Sequence, residues 1–131
     1  MNIDFSKYSK IDLDWLNIKE QLIKRDGVCQ VWKNLSREEK NYIVTHFKEE
    51  FEFKRNILDP MHKVPRSHAP DKINDLDNLI LGSRYFHELL DTYRHPVTRE
   101  IISFEERMTL MEKYSKKGNN NVISEGKTIN N

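Results

Sequence analysis

Three scarcities narrow what this chain can be. Cys29 is the only cysteine among 131 residues, which excludes an intrachain disulfide framework and a paired CxxC zinc knuckle. No apolar run reaches the roughly 18 residues that a membrane span needs, and the opening MNIDFSKYSK lacks an apolar signal core. A soluble protein in a reducing cytoplasm, away from membranes, is therefore the expectation. Charge of one sign is also missing. The net charge is +1, and basic and acidic residues stay nearly balanced along the chain. No basic arm exists to hold nucleic acid by bulk charge. Such a contact would have to come from locally placed Lys and Arg, or from a metal.

What is present suits one small domain over residues 1–117. Apolar residues make up 37% and the aromatics number thirteen, so a compact core rests largely on rings. Residues 1–10 read as a loosely held leader. Asp12 or Asp14 can cap a first helix carrying Trp15, Leu16, Ile18, Leu22 and Ile23 at helical spacing, and Asp26-Gly27 ends it. Val28, Cys29, Val31 and Trp32 form an apolar patch of open type. Ser36 with Glu39 three residues on is a capping box, predicting a helix with Tyr42, Ile43, His46 and Phe47 inward. Phe51, Phe53 and Ile57 alternate with polar residues, which predicts a strand from about Phe53 to Val64 broken at Pro60. Residues 65–77 read as a loop, Leu79–Leu81 as a short buried strand, and Gly82-Ser83 as a turn into a helix reaching Tyr93. Ser103 and Glu106 form a second box, opening a helix with Phe104, Met108, Met111 and Tyr114 inside. The Asn-rich tail 118–131 is expected to be disordered.

The segment from Ile57 to Arg99 carries four of the five histidines and the most informative spacing. Fifteen residues separate His62 from Asn78, and eight separate Asn78 from His87. Asp91 follows His87 by one helical turn, so both side chains can reach one cation. On an extended strand Asp59 and Met61 point one way and His62 the other. Asp59 could then join the metal while His62 faces a different part of the site.

These residues resemble the HNH, or ββα-metal, nucleases found in many phage and bacterial reading frames. The likeness rests on Asp59-Pro-Met-His62, on Asp77-Asn78-Leu79 and on Phe86-His87 with Asp91, within about residues 55–100. It implies an α+β fold, a ββα-metal core flanked by helices, and a metal-dependent endonuclease acting on DNA, with RNA a further possibility. By the same resemblance His62 is the general base, Asn78 fixes the loop that orients it, and His87 with Asp91 or Asp59 holds one divalent ion. Carboxylate ligands favour Mg²⁺ or Mn²⁺, and imidazole shifts preference toward Zn²⁺ or Ni²⁺. Arg66 or Arg84 would grip a phosphate. Two departures stand out. Met61 occupies the position where the family commonly has a metal-binding Asp or His, and the zinc-ribbon cysteines of many members are absent. A catalytically degenerate module that binds nucleic acid or protein is the alternative, and an all-helical interaction protein a weaker one.

Blander roles compete at each position. His62 could be a polar strand residue, His87 a core filler, Asp91 a partner of Arg84 or Arg94, Asp59 a turn residue, and Asn78 a structural turn-former. His46, His68 and His95 are read as bystanders. The nuclease reading expects the His62 and His87 imidazoles to converge on one pocket.

Overall fold

The computed structural model describes residues 10–115. Apart from Lys10, the expected leader lies outside them, as does the Asn-rich tail. Helix α1 (Lys10–Asp26) ends where Gly27 takes a positive φ of 73°, a conformation that glycine adopts without cost. The patch of open type becomes a single helical turn, α2 (Gln30–Lys33), with the Cys29 sulfur accepting from the Trp32 N–H. Helices α3 (Arg37–His46) and α4 (Lys48–Lys54) follow, then an antiparallel hairpin of β1 (Leu58–His62) and β2 (Leu79–Ser83), then α5 (Arg84–Asp91) and α6 (Phe104–Ser115). The fold is a small α+β arrangement. Both Ser-Glu boxes form, since each closes on neighbours three residues apart.

Three expectations are corrected. The strand does not begin at Phe53. Residues 48–54, KEEFEFK, are rich in helix formers and coil into α4, burying Phe51 and leaving Phe53 79% exposed. In α3 only Ile43 is buried, while Tyr42 and His46 stack on each other at the surface with ring centroids 4.1 Å apart.

Nor does Pro60 break β1. It pairs with Leu81, whose N–H turns outward to the Asp26 carboxylate at 2.8 Å. In the antiparallel ladder this is a pair whose N–H groups face away from the partner strand, so proline loses no bond there. Side chains close both edges of this two-stranded sheet. Arg25 donates to the Leu79 carbonyl at the start of β2 and to the Leu76 carbonyl in the turn before it. Arg107 donates to the His62 and Lys63 carbonyls at the end of β1. Such cover blunts edges that would otherwise pair with other chains.

The pleat sorts the hairpin residues into two layers. Leu58, Leu79 and Leu81 pack with Leu22, Trp15 and Ile18 of α1. Met61 and Ile80 join Val31, Ile43, Phe51, Phe86, Leu90, Met111 and Tyr114 in the larger core. Full burial of Phe51 or Phe86 contributes about 2–3 kcal/mol each. A Cβ at Gly82 would overlap the Met61 sulfur, so glycine leaves the space that the Met61 side chain fills.

Candidate active site

His62 ends β1 on the α1 side of the hairpin. Its ring stacks on Trp15 at 5.7 Å with 10° between planes, and Nε2 lies 3.0 Å from the Ile73 carbonyl oxygen. A carbonyl can only accept, so Nε2 carries the proton and the neutral ring keeps its lone pair on Nδ1. Burial lowers the pKa below the ordinary 6.5. The Ile73 bond, which favours the charged ring, opposes this, and the Arg66 charge adds to the lowering. His62 is thus biased toward the neutral form and oriented on two sides, and in that form its second nitrogen can act as a base.

Asn78 pins the loop that follows. Its Oδ1 accepts from the Val64 N–H at 2.9 Å, its Nδ2 donates to the Val64 carbonyl at 3.1 Å, and its own carbonyl accepts from the Lys63 N–H at 2.8 Å. The side chain is nearly buried. Three bonds from one residue therefore fix the backbone directly after His62.

The layer facing α5 holds the second group. His87 Nδ1 lies 3.0 Å from Asp59 Oδ2, and Nε2 lies 3.0 Å from Asp91 Oδ2. The Arg84 guanidinium also holds Asp59, through two contacts of 3.2 Å. The bond to Asp91 raises the His87 pKa, burial opposes it, and Asp59 adds to the rise. Burial pushes both carboxyls upward, but charged partners outweigh it and both lie below their ordinary value: Arg84 and His87 for Asp59, His87 and Arg107 for Asp91.

This geometry changes the expected donor set. The two nitrogens of an imidazole project from different edges of the ring, so Asp59 and Asp91 stand on different sides of His87. Among the described residues no group of three His, Cys, Asp or Glu side chains is placed to hold a metal ion. Asp59 orients His87 from behind, as a carboxylate commonly does for a metal-binding histidine. His87 Nε2 and the Asp91 carboxylate, one turn apart on α5, remain as a two-donor set. With Nε2 deprotonated, this pair could hold one divalent ion, the imidazole nitrogen favouring Zn²⁺ or Ni²⁺ and the carboxylate Mg²⁺ or Mn²⁺.

His87 is not among the residues lining the cleft that His62 faces, so the two imidazoles do not share one pocket: His62 leaves β1 on the α1 face, while His87 on α5 meets Asp59, which leaves β1 on the other face. Asp91 links them. It lines a cleft of about 210 Å³ together with His62, Arg66, Tyr93 and Arg107. Each histidine lies near enough for its charge to act on the other's surroundings. Met61, at the family's ligand position, is fully buried against Ile80 in the core and does not face this cleft.

Arg107 was not anticipated. It is 1% exposed, donates to the Leu90, Lys63 and His62 carbonyls, and lies 3.6 Å from Asp91. One guanidinium therefore ties α6 to the ends of β1 and α5. A signal for it exists: it stands three residues after Phe104 and four before Met111, a charged residue within an apolar helical stripe. Trp15 was expected in the core, but its role as the platform under His62 had no local signature. His46, His68 and His95 are not among the residues lining this cleft.

Among the described residues no helix is long and apolar enough to cross a membrane. In comparisons with known proteins, no family model, no curated protein and no solved structure matches the chain.

Proposed function

We propose that this chain is a metal-dependent phosphodiesterase of the HNH kind that hydrolyses DNA, with His62 as its general base. One observation carries the reading: His62 has Nε2 tied to a carbonyl and its ring clamped on Trp15, and it faces a cleft that holds Asp91 and two arginines. A base needs that combination of a free lone pair, a fixed ring and a pKa near or below neutrality. Nδ1 would take a proton from the attacking water. Arg66 in the same cleft would bind a phosphate oxygen. Asn78 and Arg107 act on the backbone around His62 and are positioning residues. A divalent ion on His87 Nε2 and Asp91 would supply neutralisation of phosphate charge and of the leaving 3′ oxygen.

The test is cleavage of plasmid DNA, with RNA in parallel, in Mg²⁺, Mn²⁺, Zn²⁺ or Ni²⁺. Titration calorimetry with Mn²⁺ separates the roles. His62→Ala should abolish cleavage and keep Mn²⁺ binding, whereas Asp91→Asn should weaken both. Absence of cleavage with every metal would leave the second reading, a module of the same fold that binds without cutting. Burial of Met61 favours that reading, since Asp placed there would enter the core rather than restore a ligand.

A further inference from the structure

The other end of the hairpin carries a second cavity, lined in part by Leu58 where the His62 cleft takes the opposite end of β1. It measures about 260 Å³. Its walls are rings: Trp32 stacks on Phe51 at 4.7 Å, and Phe86 lies 6.1 Å from Phe51. Cys29 and Ser83 are also among its lining residues. The Cys29 sulfur already accepts from the Ser83 and Trp32 N–H groups. The Ser83 hydroxyl is different. Ser83 is 1% exposed, and its Oγ has no hydrogen-bond partner among the described residues. Ser83 stands at the cap position of α5 yet makes no side-chain capping bond. Buried hydroxyls almost always have partners, so an unpaired one lining a cavity points to something that enters.

The rim adds a charge. The exposed Arg55 guanidinium lies 5.4 Å from the Phe51 ring centroid and has no ion-pair partner among the described residues. No acidic side chain lines the cavity. Flat aromatic walls, one inner hydroxyl and one outer cation specify a ligand with the complementary order of groups.

We propose that this cavity is a binding site for a small aromatic acid, whose ring packs against Trp32, Phe51 and Phe86. A polar ring substituent meets Ser83 Oγ, and the carboxylate meets Arg55. The site is independent of the His62 cleft and of the chemistry assigned to it. Para-hydroxyphenylacetate is the probe, with phenylacetate lacking the hydroxyl and para-hydroxyphenylacetamide lacking the charge. The full chain is titrated while the Trp32 indole N–H resonance is followed, assigned with the help of Trp15→Phe. The wild type should bind para-hydroxyphenylacetate about fivefold tighter than phenylacetate, and Ser83→Ala should erase that preference without lowering the melting temperature. The acid should bind about fivefold tighter than the amide, and Arg55→Gln should level the two. His62→Ala should change none of these ratios. A Trp32 signal that ignores both acids at millimolar concentration overturns the proposal. So does equal affinity for the two acids in the wild type, or a hydroxyl preference that survives in Ser83→Ala.

Discussion

On the α1 side of the hairpin a histidine meets a tryptophan face and a carbonyl; on the α5 side another meets two carboxylates. His62 is pushed toward the neutral form and His87 toward the charged one. Within β1 the pleat sends His62 to one layer and Asp59 to the other, and Asp59 there receives His87 from α5. Identical imidazoles become a candidate base and a candidate ligand through what lies across from them. Asp91 and Arg107, at the open end where the layers meet, join the two.

The largest effect should come from cutting that join. Arg107→Ala removes the donor for three backbone carbonyls and the cation beside Asp91. A destabilisation of about 3–5 kcal/mol is expected, because buried acceptors lose their partner together. Urea unfolding monitored by circular dichroism measures it, and a loss below about 1 kcal/mol would show that water serves the carbonyls equally well.

Breaking only the α1 layer should act on rate rather than on folding. His62→Ala should lower kcat by about 10²–10⁴ and leave the melting temperature within a few degrees. The wild-type pH–rate profile sharpens the point. The base's pKa lies below 6.5, so activity should rise through that lower value and level off toward neutrality. A rising limb placed clearly above 6.5 would assign the base elsewhere.

Asn78→Ala is next in size. It removes both side-chain bonds to Val64, at a cost of about 1–3 kcal/mol. It should also lower kcat more than it raises KM, since the loop directly after His62 loosens. Asn78→Asp keeps Oδ1 and should recover part of the stability but not the bond to the Val64 carbonyl. Equal losses in the two variants would mean that the Val64 N–H bond contributes nothing.

How far the sequence revealed these layers depended on the reach of each signal. Ser36 with Glu39 and Ser103 with Glu106 close within one turn, so both caps were visible in the chain itself. His87 and Asp91 were visible for the same reason. Asp59 was expected beside a metal, but its place behind His87 depends on how α5 packs over β1, which no spacing of 28 residues encodes. Phe51 and Phe53 alternated as a strand would, yet the surrounding Lys and Glu favoured helix and only Phe51 found a core. Arg107 finds its acceptors at the ends of α5 and β1, elements that α6 meets only on docking. Patterning reports which face is apolar; it does not report which carbonyls will lie unpaired beneath it.

The subtlest distinction between the layers is in the sign of their pH dependence. His87 is raised above 6.5 in the folded chain, so its stabilisation is complete below that value and is lost as pH rises through the folded pKa. Asp59 and Asp91 lie below 3.8, so their share is present above that value and lost only in acid. The cluster is therefore strongest between the carboxylate range and the raised pKa of His87. His62 is lowered, so its contribution is present above 6.5 and is lost as pH falls through the folded value. Urea-unfolding free energies of chelator-treated protein, compared with His87→Gln and His62→Ala from mildly acidic to mildly alkaline pH, separate the two. The wild type's advantage over His87→Gln should shrink as pH rises, while its advantage over His62→Ala should grow. Slopes of the same sign would mean that the two imidazoles share one environment, and the division of labour between base and ligand would fall with it.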